Sequence, residues 1–372
     1  MNELQILYLS LAGTFILVAL IQLLYPKISP RGVVLSVTFP EEAFVQEELK
    51  RILKRYRWRT LFFCVLTLAL LFTFYTLKLG AGAITALTFP LIFINFVAVI
   101  LTRRDLLRWK KEMNFKVKKQ VQVVDTSLSV TKIKEKSLWL YLLPLAIVLG
   151  GVVYSLVAYD SFPDKIPMHM DFEGNITRYA EKSYWNVLFV PLTNLFVVGI
   201  IFVSNFFHLK IKQRIDPSAP KDSLHNLMIA RKVWTVFFAL MATFLVLPLT
   251  FLFIFMNRGD LKAVDIMVWV LLALMVPVIL GIVVIGLKVG NTGEKLKIKE
   301  KIDEEASPVD EDKYWILGGS IYYNPNDPSI FVAKRVGIGS TVNAGTLVGK
   351  IIYGVLALVI IASILISIFV VK

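Results

Sequence analysis

The chain has 372 residues, 56% of them hydrophobic, with 41 Lys and Arg against 27 Asp and Glu and a net charge of +14. So apolar a composition excludes an ordinary soluble domain, and a single cysteine, Cys64, excludes an intramolecular disulfide or a multi-cysteine metal centre. The positive charge sits in short segments between apolar runs, where it signals topology and contact with anionic lipid rather than nucleic-acid binding.

Eight stretches carry no Asp, Glu, Lys, Arg or His: Leu4–Pro26, Thr60–Leu77, Leu79–Thr102, Ser137–Tyr159, Ser183–Phe207, Val233–Asn257, Ile266–Leu287 and Ile351–Val371. A run of ~20 apolar residues, rising ~1.5 Å each, crosses a ~30 Å hydrocarbon layer as a helix. Helices satisfy their own backbone groups there. The pattern predicts an all-α polytopic membrane protein of eight transmembrane helices, with a small cytoplasmic α/β-like module before the last. Met1-Asn2-Glu3 lacks a basic n-region, so the first stretch reads as a span rather than a removed signal peptide. Lys and Arg number eight, eleven, six and nine in segments 27–59, 103–136, 208–232 and 288–350, and seven everywhere else. The positive-inside rule then places those four segments in the cytoplasm and both termini outside. The expected division is 1–137 (three spans and two basic loops), 138–207 (a span pair around an outer loop), 208–293 (two spans), 294–350 (the module) and 351–372 (the last span).

In the first inner loop Val45, Leu49, Ile52, Leu53 and Tyr56 recur at helical spacing among six basic residues from Lys50 to Arg59. This reads either as an amphipathic helix lying on the inner leaflet or as an extension of the second span. The second inner loop has a strand-like run, Val117, Val121 and Val123. No charge-free stretch holds Asp, Glu, His, Lys or Arg, which counts against an ion-coupled transporter. Asn95, Asn194 and Asn205 are read as helix–helix hydrogen-bonding residues. Pro90, Pro144, Pro191, Pro248 and Pro277 each remove a backbone bond and can kink a helix. Pro191-Leu-Thr-Asn and Pro248-Leu-Thr-Phe form a weak internal echo.

The outer loop Asp160–Lys182 carries five acids and three bases, an acidic patch on a basic chain. Pro163 and Pro167 force extended backbone, and Gly174-Asn175 signals a tight turn, so a short ordered hairpin is expected. His169, Asp171 and Glu173 alternate and could converge on a metal; the alternative is a purely structural loop, and no resident metal or cofactor is expected. The pattern of Pro163, Ile166, Pro167, His169, Gly174, Asn175, Tyr179 and Lys182 resembles the loop of SdpI-like bacterial membrane proteins. The resemblance implies a bacterial cell-membrane protein that confers immunity to a secreted toxic peptide and signals to a cytoplasmic regulator. Two further segments, Val37–Ala43 with Arg55–Arg57, and Tyr314–Gly339, resemble parts of longer relatives of that family.

Between the seventh and eighth spans, Glu294–Asp312 is charged and reads as a tether. Beyond it, Tyr322, Tyr323 and Phe331 are expected to form a docking face, with Lys334 and Arg335 facing anionic headgroups; the alternative is a cap packed on helix ends. There is no H-E-x-x-H, Walker A or G-x-S-x-G pattern. The expected function is therefore non-enzymatic: sensing, or resistance to, an extracellular peptide or envelope stress. The alternative is a transporter or permease component for a small apolar or peptide substrate.

Overall fold

Charge-free runs become helices because no other conformation satisfies an isolated backbone in lipid. The computed structural model describes residues 3–30, 32–115, 136–170, 176–209, 220–297, 310–335 and 339–369. Among these, eight helices are long and apolar enough to cross a membrane. They are α1 (Glu3–Ile28), α2 (Glu47–Thr76), α3 (Ala81–Glu112), α4 (Leu142–Val157), α5 (Tyr184–Leu209), α6 (Pro220–Asn257), α7 (Leu261–Lys288) and α8 (Leu347–Phe369). α4 is prolonged at its start by a 3-10 turn, Lys136–Tyr141. Pro144 lies in the first turn of α4, where the backbone N–H has no helical partner to lose. The run Val117–Val123 lies outside the described residues.

Chain contacts separate two units. One gathers Met1–Val124, Ile211–Leu224 and Gly290–Lys372; the other gathers Asp125–Lys210 and His225–Val289. The two ends of the chain thus share a unit, and most of the middle forms the other.

The first unit is built on α2 and α3, which run against one another from the turn at 77–80 and pack with α1. A two-stranded hairpin, β1 (Val33–Val34) and β2 (Val37–Thr38), follows α1. Val34 pairs with Val37, so only Leu35 and Ser36 make the turn. Both have positive φ, 44° and 69°, as the commonest two-residue hairpin turn requires. That turn favours Asn-Gly, and here it is made by a buried Leu and a buried Ser. Val34, Leu35, Val37 and Phe39 join Leu49, Ile52 and Tyr56 of α2 and Ala98, Val99, Leu106 and Trp109 of α3 in one core. Each large apolar side chain so buried contributes roughly 1.5–3 kcal/mol. This settles the first inner loop. Leu49, Ile52, Leu53 and Tyr56 belong to a continuous α2 that extends the second span and pack on protein core, whereas Val45 lies before it in a 3-10 turn and is exposed.

The same unit holds two small antiparallel pairs. β5 (Trp315–Ile316) pairs with β6 (Ile321–Tyr322), and β7 (Phe331–Ala333) with β8 (Ser340–Val342). A bridge from Tyr322 to Asn343 joins them. Gly319, left-handed at φ +85°, lies so close to Ser36 of the β1–β2 turn that a Cβ there would overlap its side chain.

The second unit packs α4, α5 and α6 around Val148, Val198, Ile201, Ala239, Ala242 and Val246. The two echoing stretches meet here: Asn194 donates to Thr250 Oγ1 at 3.1 Å. Gly151 of α4 leaves the room for the Thr250 methyl. Asn205 accepts from Thr235 at 3.3 Å, and in the first unit Asn95 donates to Thr67 at 2.7 Å. Such pairs are polar groups satisfying each other between helices.

Candidate functional site

In the second unit, the chain leaves α4 through a 3-10 turn at Tyr159–Ser161 and forms β3 (Lys165–Met170) and β4 (Ile176–Glu181). Lys165 pairs with Glu181, Pro167 with Tyr179 and His169 with Arg178, with register irregularities around His169. Pro167 lacks an N–H, and the ladder is irregular just beyond it, as a proline in a strand demands. Asp171, Glu173, Gly174 and Asn175 lie outside the described residues, so the expected turn and the alternating trio with His169 are not placed.

The base of the hairpin is fixed by residues of the sequence pattern. Ile166 is fully buried against Phe162 and Val187. Lys182 donates from Nζ to the Phe162 carbonyl at 3.0 Å, and its backbone N–H donates to Asp164 at 2.7 Å. Its ammonium also lies 5.0 Å from the ring centre of Tyr159, which stacks on Tyr184 at 4.2 Å. Tyr179, by contrast, is 51% exposed.

Beside this base lies a cleft of about 600 Å³. Tyr154, Ser161 and Pro163 line it from the α4 side, and Asn257, Arg258 and Gly259 from the end of α6. Gly259 turns the chain there at φ +71°. Arg258 donates from Nε to the Tyr154 hydroxyl at 2.9 Å. Among the described residues it has no carboxylate partner. Asn257 is buried and donates to the Phe253 carbonyl at 2.8 Å, but among the described residues its Oδ1 meets no donor. A buried acceptor without a donor costs roughly 1–3 kcal/mol. The cleft thus presents the exposed Arg258 guanidinium, held on Tyr154, a donor that matches a carboxylate or a peptide carbonyl.

The residues expected on a docking face in the first unit separate. Tyr322 is fully buried with Trp315 and Val332. Its hydroxyl donates to Asp327 and accepts from Asn324, both at 3.1 Å; burial pushes its phenol pKa up. Arg335 is 1% exposed and does not face headgroups. Its Nη1 donates to Asp312 Oδ1 at 2.7 Å and Thr38 Oγ1 at 2.9 Å, and its guanidinium meets Glu311 at 3.3 Å. A cation removed from water needs an anion, and Asp312 supplies it. Tyr323, partly buried Phe331 and Lys334 remain nearer the surface.

Asp312 is the hub that sequence reasoning assigned to the tether. Its carboxylate accepts from Thr38 N–H at 3.0 and 3.1 Å, Thr38 Oγ1 at 2.8 Å, Lys110 at 2.7 Å and Arg335 at 2.7 Å. Its carbonyl accepts from Arg103 at 2.9 Å. Lys110 also reaches Asp310 at 2.8 Å. Burial works against the Asp310 carboxylate. The Lys110 hydrogen bond, the Asp312 N–H and the charges of Lys110 and Arg335 outweigh it and hold its pKa below the usual carboxylate range. The network joins β2, α3 and the two β-pairs, so the two segments resembling longer relatives meet at one point. Near it, fully buried Asn343 donates to the carbonyls of Asn324 and Asp327 and accepts from the N–H groups of Asn324 and Gly345, all at 2.9 Å. The Asn-Pro-Asn-Asp-Pro turn is thereby tied to the start of α8.

Two family models match. A domain of unknown function, DUF1648, covers residues 146–195, which is α4, the β3–β4 hairpin and the first half of α5. A family of unknown function, DUF5808, covers residues 325–350, the segment that Asn343 organises. DUF1648 is common in SdpI-like membrane proteins. No curated protein and no solved structure matches the chain.

Proposed function

We propose that this multi-pass membrane protein senses, or confers resistance to, an extracellular peptide, without chemistry of its own. The observation that carries the reading is the cleft at the hairpin base. There, Arg258 and Asn257 Oδ1, the first without a carboxylate partner and the second without a donor among the described residues, stand beside the β3–β4 element matched by DUF1648. The protein sits in the bacterial cell membrane with both termini outside, so the β3–β4 hairpin faces the exterior and the β5–β8 module faces an anionic inner leaflet and a regulatory partner. The lysine and arginine distribution supports that orientation.

Isogenic cells expressing wild-type or Arg258→Gln protein, challenged with membrane-active peptides secreted by neighbouring strains, test the reading. Wild-type cells should survive or induce a transcriptional response, and Arg258→Gln cells at equal protein level should not. Equal survival together with peptide flux in proteoliposomes would favour the permease reading. Orientation has its own test: in a Cys64→Ser background, a cysteine at Tyr179 should react with an impermeant thiol reagent on intact cells and one at Lys313 should not.

A further inference from the structure

Lys334 and Arg335 are neighbours, yet the first has no acidic partner among the described residues while the second is enclosed by Asp312 and Glu311. Consecutive residues of an extended chain point opposite ways, and Lys334 is turned into a separate cleft of about 390 Å³. Burial holds its pKa below that of an ordinary lysine, the mark of a partly desolvated cation. Thr341 and Tyr353 share the cleft; their hydroxyls are 3.2 Å apart, and Tyr353 also donates weakly to the Val342 carbonyl. Ser320 and Ser340 add to its polar side, and Phe96 from α3 with Ile352 and Leu356 from α8 form an apolar side. Ile352 and Leu356 share one face of α8 and are 38% and 51% exposed. On a membrane-spanning helix, exposed apolar side chains meet acyl chains. The cleft therefore combines a cation that has no acidic partner among the described residues, and hydroxyls, with an apolar side continuous with the lipid phase.

We infer that this cleft is a binding site for one anionic phospholipid, its phosphate headgroup on Lys334 and its acyl chains along Ile352 and Leu356. The volume suits a headgroup and the start of a chain, with the rest of the lipid in the bilayer. The site is distinct from the peptide cleft, so either reading can fail without the other.

The test uses the full-length protein, reconstituted in phosphatidylcholine vesicles doped with phosphatidylglycerol, extracted in mild detergent and examined by native mass spectrometry. Wild-type protein should retain one phosphatidylglycerol in preference to phosphatidylcholine. Lys334→Arg should retain it. Lys334→Met, which keeps the stem and relieves the buried charge, should hold it roughly fivefold more weakly, the weight of one basic contact at an anionic surface. Lys350→Met, an equal change in net charge at an exposed position, should not alter retention. Melting curves of Lys334→Met should match or exceed wild type, which separates lost binding from lost folding. Equal retention by Lys334→Met and wild type, or no preference over phosphatidylcholine, would overturn the inference. Displacement by inorganic phosphate at matched concentration would replace the lipid with a free phosphate and overturn it too.

Discussion

Replacing Asp312 with Asn removes one negative charge from a carboxylate that is 7% exposed and accepts from two cations and from Thr38. The change is nearly isosteric, so packing is retained and electrostatics are what is lost. Arg335, with a side chain 1% exposed, would lose its shorter contact to an acid and keep the longer one to Glu311 beside its hydrogen bond to Thr38, while Lys110 would keep Asp310. Breaking a buried pair on one side costs roughly 3–5 kcal/mol, because the surviving charge stays desolvated. At roughly 2–4 °C per kcal/mol for a body of 150–250 residues, the melting point should fall by about 6–20 °C. The only cysteine, Cys64, is buried in the same unit, so a thiol-reactive fluorogenic maleimide reports its exposure on heating. Adding Arg335→Met should recover part of the loss, since the orphaned guanidinium goes with it. A drop below about 1 kcal/mol, or strict additivity of the two changes, would refute the claim that Asp312 neutralises Arg335 in the folded protein.

Other outcomes follow from the same geometry. Ser36→Gly should raise the melting point by a few degrees, because it relieves a positive φ by roughly 1 kcal/mol and vacates the space against Gly319; Gly319→Ala should lower it, and the pair should be better than Gly319→Ala alone. Asn343→Ala orphans two N–H groups and two carbonyls at a fully buried position and should cost more than about 2 kcal/mol, read as faster proteolysis around residues 324–345. Asp310 has a folded pKa below its unfolded one, so its contribution is complete above the unfolded carboxyl pKa, ~3.9, and disappears as pH falls through the lower folded value. The melting-point gap between wild type and Asp310→Asn should accordingly be present at neutral pH and close in strong acid.

The spans were legible because charge-free runs of membrane length admit one backbone solution. The strand pair around Pro167 was foreshadowed by its extended backbone, and the ladder irregularity beside His169 follows from the missing N–H of Pro167. What escaped was long-range. Thr38 and Asp312 are 274 residues apart, and a single sequence carries no signal pairing them. Asp312 closes a run of charges and so looked solvated, although the aromatic segment begins only two residues later. Lys334-Arg335 looked like one basic patch; just past β7, the backbone sends them to different surroundings, which sequence alone did not show. Leu49, Ile52 and Tyr56 show a helical period that serves a lipid face and a protein core equally well. Only the β1–β2 hairpin, itself built on the unfavoured turn pair Leu35-Ser36, determines which it is. Asn257 and Arg258 gave no warning, since the end of an apolar run is an ordinary place for polar residues.

The peptide reading stands or falls on what occupies the cleft between Tyr154 and Arg258. A photo-crosslinking amino acid at Ser161, which lines that cleft, can be activated in living cells during peptide challenge, with Trp269, exposed on α7, as the lipid-facing control. The account predicts a small-peptide adduct at Ser161, none at Trp269, and loss of the adduct when Arg258 is also changed to Gln. No adduct at Ser161 under a challenge the protein demonstrably resists, or an adduct indifferent to Arg258, would contradict it.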